Sequence, residues 1–554
     1  MKKLRRILPL FLAVLLLLSA CGTGGDGPQG EGNAEQSDVK EINLAVKASP
    51  PTGLDPVILS GVDEGLLSSH IYETMFTFDK DGHVINRLCK DYTVSEDGLV
   101  YTFQLIDAKW SDGKDITADD FVYAIKRAAG YTMEKETYAY YMRDHIAGGD
   151  EVNEALALNG EVPVADQDYL KVRAVDPKTL EITLKERCAY FTGLMAKPIF
   201  APLREDFAKE SDALWASAEH VQEIPYSGAF VVTEMRDKEK IVLEKNPNYF
   251  DADKVKLDRI TIYSMPDEQA QLNAFKTGEI DVALSVPVEI VNTYEGNPEL
   301  VIPLPYVANY YIQVNSKQAP LDNVNVRRAL ALAVDRDALV KALETGDTKY
   351  PLHGMVAKGI PGASGDFREE EDAREKYLDT DIEEAKRLLQ QEGYDESNPL
   401  QVEYLYNGTQ LHSDIAQLLQ QMWKNVGVEV TLRSSESKAF WDARNTGDFQ
   451  LMHISTTADY LDPTNFLDMY LSTTRDDPYF DAPEYDELLG QARKEADPVK
   501  RMELLHQAEH LIIQDEVFFI PLYGYVNPIL IRENITGYQT TPMGDTFFMF
   551  ADIQ

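Results

Sequence analysis

Cysteine is nearly absent from this chain, with 3 residues in 554, at positions 21, 89 and 188. Cys89 and Cys188 show no CxxC spacing and no companion histidine cluster, so neither metal binding nor dithiol redox chemistry is indicated. They read as buried free thiols or as one disulfide, and both readings stand. Cations are scarce too. Lys and Arg number 53 against 93 Asp and Glu, a formal net charge of −40. That balance argues against a nucleic-acid partner, because phosphate binding needs clustered basic groups, and reads instead as a soluble, self-repelling surface. The chain holds no G-x-S-x-G, no H-E-x-x-H and no Cys/His pairing at a recognisable spacing, and its 9 histidines are scattered. An exported hydrolase therefore has no visible machinery. Beyond the N-terminus no segment reaches the roughly 20 apolar residues that a membrane span needs.

What is present starts with length: 554 residues are too many for one core and predict two or three lobes. The first 21 residues, MKKLRRILPLFLAVLLLLSAC, combine a basic start (Lys2, Lys3, Arg5, Arg6), a short apolar stretch from Ile7 to Leu18 and small residues. This is the grammar of an export signal over 1–20. Leu18-Ser19-Ala20-Cys21 resembles a bacterial lipobox, in which Cys21 is diacylated on sulfur and becomes the new N-terminus. Residues 21–39 are Gly-rich, acidic and nearly free of apolar side chains, as suits a flexible tether. Two acyl chains suffice for stable anchoring where one binds only marginally.

Alternation and β-branched enrichment predict strands at Ile42–Val46, Leu99–Ile106, Leu180–Leu184, Lys240–Asn246 and Arg259–Met265, with a helix over Asp119–Ala129. From about Tyr306 strands and helices alternate, which predicts a separate α/β lobe. There Thr380 and Glu383 form a capping box for a helix whose apolar face is Ile382, Ala385, Leu388 and Leu389, ended by Gly393. The strand Leu400–Tyr406, the helix His412–Val426 and the strand at Val428, Val430 and Leu432 make a crossover unit with parallel pairing. A short helix near Ala439–Asn445 then leads to a strand over Phe449–Ser455. Ligands of open α/β sheets bind outside the carboxyl ends of strands. Two ionisable groups fall there, His412 and Asp459.

The segment from Phe449 to Tyr470, FQLMHISTTADYLDPTNFLDMY, places two carboxylates three residues apart at a strand exit. Asp462 precedes Pro463 and a helix-like apolar run, so it reads as an N-cap. Asp459 sits between Ala458 and Tyr460 with no cation nearby in sequence. A buried carboxylate needs a partner, and either a distant Lys or Arg of the fold or a ligand must supply it.

Four blocks then carry a family resemblance: Tyr101–Arg127, Tyr226–Asp251, Leu321–Val340 and Ala458–Ser472. In order and together, they resemble the extracytoplasmic solute-binding proteins of peptide ABC importers, the oligopeptide- and dipeptide-binding family. The resemblance implies an α/β, bilobed periplasmic-binding-protein-like fold of the class II type with an additional α+β domain. It divides the chain into a discontinuous first lobe (40–62, 187–306 and 526–554), the additional domain (63–186) and a further α/β lobe (307–525), with the ligand cleft between lobes. It implies a monomer that takes an oligopeptide and passes it to permease subunits, with no cofactor and no metal. Asp459 matches the family's ligand for the peptide amine. Main-chain pairing would come from Lys47–Ser49, including Ala48 and Ser49, and from Ser455–Thr457, while Tyr140, Phe440 and Arg444 would line pockets, with core packing an equal reading for Phe440. Departures are as informative. Thr456 and Thr457 stand where one family member has Trp and Cys, and Ala308 stands at the position of that Cys's disulfide partner. His453 replaces an arginine, and a lysine used for longer peptides is replaced near Glu344; His412 matches a carboxylate-binding histidine. Nickel or a metal chelate, a sugar oligomer and a signalling peptide are the alternative ligands on this fold.

Overall fold

The computed structural model describes residues 39–59, 62–130, 138–208, 215–287, 290–294, 296–301, 306–343, 348–472 and 479–554. Cys21, the N-terminal signal and tether, and Glu344 lie outside them. Among the described residues no helix is long and apolar enough to cross a membrane.

A mixed seven-stranded sheet is built from both ends of the chain. Its order is Leu300–Val301, Ile529–Ile531, Val282–Ala283, Glu41–Val46, Arg259–Ser264, Lys240–Lys245 and Phe230–Arg236. Glu41–Val46 runs parallel to both Arg259–Ser264 and Val282–Ala283, whereas Ile529–Ile531 closes antiparallel on Val282–Ala283. The alternation in RITIYS predicts this placement, since Ile260 and Ile262 point into one core with Ile42 and Leu44.

The second sheet has six strands in the order Lys349–Pro351, Phe519–Tyr525, Tyr306–Val314, Leu451–Thr457, Leu400–Asn407 and Val428–Ser435. Tyr306–Val314 is central and buried on both faces after its first residue, which fits its near-continuous apolar and aromatic sequence. Leu400–Asn407 pairs parallel with Val428–Ser435 across the helix Gln410–Lys424, as the crossover pattern predicts. That helix buries Ile415, Ala416, Leu419 and Trp423, and the Trp423 indole N–H donates to the Leu330 carbonyl at 2.8 Å.

Two local expectations shift. The helix Ile382–Gln391 is capped by Asp381, whose carboxylate accepts the Glu384 N–H, and not by Thr380, whose hydroxyl donates to the Val334 carbonyl. An ionised acceptor makes the stronger bond to helix N–H groups, and Thr380 is drawn off by a tertiary partner. The strand expected over Phe449–Ser455 runs two residues later, Leu451–Thr457, so Thr456 and Thr457 belong to the sheet. Ala308 faces Thr457 across it.

A third, antiparallel sheet orders Cys89–Val94, Val100–Leu105, Thr179–Thr183 and Val172–Asp176, with the helix Ala118–Ala129 packed near it. Its core holds Cys89 and Cys188 as free buried thiols. Tyr460, from the six-stranded region, also enters this core and stacks on Tyr190 with ring centroids 4.2 Å apart. The loop carrying both aspartates is thereby wedged between two cores.

Candidate functional site

The two carboxylates of that loop meet different surroundings. Asp462 accepts the Thr464 N–H at 3.0 Å and hydroxyl at 2.7 Å, and both of its oxygens accept from Arg501, each at 2.8 Å. Both side chains of this ion pair are 7% exposed. Asp462 Oδ1 accepts three of these bonds and its Oδ2 one, all from the protein. The helix begins at Thr464 with Pro463 at the cap position, one residue later than expected, yet Asp462 still closes its first turn.

Asp459 keeps 38% of its side chain exposed. The Asn465 side chain accepts its backbone N–H at 2.9 Å and so fixes the loop. Its carboxylate is not bare: the Lys197 ammonium lies 3.8 Å from Oδ1, and the Tyr138 hydroxyl hydrogen-bonds to it. Proximity in sequence could not reveal this cation, which comes from the far end of an apolar run, Phe191–Phe200. Lys197 is 11% exposed and lies over the Tyr138 ring at 4.3 Å. Burial lowers its affinity for the proton, while Asp459 and Asp545 oppose that effect. A distance of 3.8 Å is beyond a direct hydrogen bond, so one oxygen of Asp459 is attracted to Lys197 without being locked to it.

Asp459 opens on a cavity of about 670 Å³ between two walls. One wall carries Tyr140, Tyr141 and Tyr190, and the other carries Ser455, Thr457 and Asp459. A second cavity of about 560 Å³ is lined by Lys47, Ala48, Tyr306, Tyr525 and Asp545. The strand Leu451–Thr457 pairs along its whole length with Tyr306–Val314. On its other edge it meets Leu400–Asn407 only at Leu451 and Met452. From His453 to Thr457 that edge has no strand partner among the described residues. Such an edge offers backbone donors and acceptors to an incoming extended chain.

Of the residues expected here, Ser455, Thr456, Thr457, Asp459 and Tyr140 line the first cavity together. Thr456 is buried and its hydroxyl lies 3.3 Å from that of Tyr311. Ala48 lines the second cavity, and its N–H, expected to be free for a ligand, is donated to Asp63 at 2.7 Å. Ser49 lies beside Ala48 in a separate shallow pocket. Phe440 is not a wall: it is 1% exposed and stacks on His453 at 4.8 Å. Arg444 lines neither cavity. Its guanidinium lies over Trp441 at 5.4 Å and donates to Gln313, because the three-residue spacing on one helix brings it onto the indole.

His412 and His453 stack with ring centroids 3.9 Å apart. His453 also lies parallel to Tyr310, and the Tyr310 hydroxyl is 2.9 Å from His412 Nδ1. Burial and then the His412 charge push His453 down to about 3, and burial lowers His412 as well. Both rings are therefore predominantly neutral near pH 7, and neither lines either cavity. Lys197, Tyr138, Tyr141 and Asp545 were missed by sequence reading. The available signal was a lone lysine in an apolar run, which cannot be buried without a carboxylate partner.

The model of the bacterial extracellular solute-binding proteins, family 5 (middle part), matches residues 83–478. The oligopeptide-binding protein OppA of Bacillus subtilis is 33% identical, with 100% of this chain and 99% of that protein covered. The periplasmic oligopeptide-binding protein OppA of Escherichia coli is 31% identical, with 96% and 95% covered. Among solved structures, the unliganded open form of the periplasmic murein tripeptide binding protein MppA superposes with a TM-score of 0.79 at 27% identity, covering 93% of this chain and 98% of that one.

Proposed function

This chain belongs to the bacterial extracellular solute-binding proteins of family 5, and on that premise we propose that it captures oligopeptides in the cleft at Asp459 and delivers them to the permease of an ABC importer. The observation that carries the reading is a half-exposed carboxylate placed just beyond an unpaired strand edge. A peptide in extended form pairs its main chain with Ser455–Thr457, which supplies affinity independent of its side chains. Its α-ammonium then meets Asp459. Side chains enter the two flanking cavities, where water adapts to different shapes. The relatives named for oligopeptide binding cover this chain nearly end to end, which supports carrying the ligand class over.

In this reading 40–62, 187–306 and 526–554 form one lobe, 307–525 the facing lobe and 63–186 the additional domain, and closure of the lobes encloses the ligand. The return of Ile529–Ile531 to the first sheet supports that division. The chain works as a receptor and not as an enzyme, as a monomer without cofactor or metal, at the outer face of the membrane through lipid on Cys21. Native mass spectrometry of protein purified from its own host tests the ligand class. Co-purifying peptides are expected; a bound sugar oligomer or metal chelate in their place would falsify the proposal.

A further inference from the structure

Around Lys197 the charges do not balance. Its ammonium lies 3.8 Å from Asp459 and feels a second carboxylate, Asp545, as well. Asp545 lines the second cavity and accepts a hydrogen bond from the Thr541 hydroxyl at 3.3 Å. Tyr138 and Tyr141 face the same ammonium with their rings, at 4.3 and 6.0 Å. Tyr306 lies close enough to both carboxylates for each to act on its phenol. Among the described residues the cluster thus holds two carboxylates and one ammonium, one positive charge short.

We infer that Lys197 is a resident counter-ion that holds Asp459 while the cleft is empty, cedes it to the ammonium of an arriving ligand and is retained by Asp545. The inference rests on Asp459 being the ammonium site proposed above and adds the identity of what that ammonium displaces. Three features fit an exchange. The 3.8 Å separation leaves Lys197 attracted but unlocked. The aromatic faces stabilise a cation displaced from a carboxylate, and the four-carbon stem of lysine gives its ammonium reach without backbone movement. With ligand bound, two carboxylates face two ammonium groups and the enclosed cluster is neutral, which a closed low-dielectric cleft requires. A ligand without an ammonium has nothing to exchange and leaves Lys197 in place. The chemical class selected is therefore a peptide with a free, protonated amino terminus.

The test uses penta-alanine and its N-acetylated form as probes, by calorimetry on the full chain. Lys197→Met is expected to bind penta-alanine at least fivefold more tightly than wild type, because the competing ammonium is gone. Asp545→Asn is expected to bind it at least fivefold more weakly, because Lys197 then has no second carboxylate. In ligand-free protein, thermal melting of Lys197→Met, Asp459→Asn and the double variant should show coupling, the second change recovering part of the loss caused by the first. Equal binding of free and acetylated penta-alanine by wild type overturns both the ammonium reading of Asp459 and the exchange. Absence of coupling in the ligand-free cycle, or weaker penta-alanine binding by Lys197→Met, overturns the exchange alone.

Discussion

Asp459 and Asp462 are separated by two residues of one loop and do opposite work. Asp462 is held by a bidentate arginine, a threonine hydroxyl and a backbone N–H, and only 7% of its side chain is exposed. Asp459 is over a third exposed, faces a cavity and, among the described residues, has one ammonium at a distance that leaves room for another donor. The difference is one of pairing, not of residue type: a carboxylate bound in two places by a buried arginine stabilises the fold, and one left loosely paired at a cavity wall is the group that the proposed function assigns to the ligand. Both groups depend on the same wedge, since Tyr460 between them is anchored in a different core from the strand that precedes it.

That contrast can be broken experimentally, and the largest effect belongs to Asp462. Asp462→Ala leaves Arg501 buried and unpaired, which costs about 3–5 kcal/mol, and chemical denaturation of the ligand-free protein measures it. A loss under about 1 kcal/mol would mean that the pair is not the anchor described here. Asp459→Asn should leave ligand-free stability within about 1 kcal/mol, because the pair is 3.8 Å apart, Asp459 is 38% exposed and Asp545 still acts on Lys197. Its peptide affinity should nevertheless fall by about 100-fold, or ~2.7 kcal/mol, in calorimetry. A variant that lost both together would make Asp459 a second structural carboxylate.

The stacked histidines, which line neither cavity, give a pH-dependent effect on stability. His453 is held neutral in the fold, pushed down to about 3, while an unfolded histidine titrates near 6.5. Between those values the unfolded state binds more protons, so the stabilisation is complete above about pH 6.5 and is lost as pH falls through the folded value. Each pH unit removes up to ~1.4 kcal/mol. His453→Phe, which keeps the stack with Phe440 and Tyr310, should therefore flatten the decline in stability between pH 6.5 and 4. Equal slopes for variant and wild type would place the acid sensitivity elsewhere.

Much of this architecture was legible in the chain. Strands such as Arg259–Ser264 and Val428–Ser435 follow from alternation, and the parallel unit around the helix Gln410–Lys424 follows from its crossover length. The assignment of Asp462 to a helix start followed from the proline after it. What escaped were choices made by tertiary partners. Thr380 and Asp381 are equal candidates for a cap until Val334 takes the threonine. Arg444 read as a pocket wall, and Phe440 equally as wall or core, because their own helix cannot show that one is covered by His453 and the other drawn to Trp441. The cation beside Asp459 was invisible for the same reason: Lys197 and Asp545 come from distant stretches, and only the folded chain brings both to act on one another beside Asp459.

The central claim is that the carboxylate of Asp459 receives the positive end of a peptide. Titrating wild-type protein by calorimetry with one peptide in two forms, amino terminus free and acetylated, addresses it most directly. The account predicts affinity at least 100-fold lower for the acetylated form, with binding of the free form weakening above about pH 8 as α-amino groups lose their protons. Indistinguishable affinities for the two forms would contradict it.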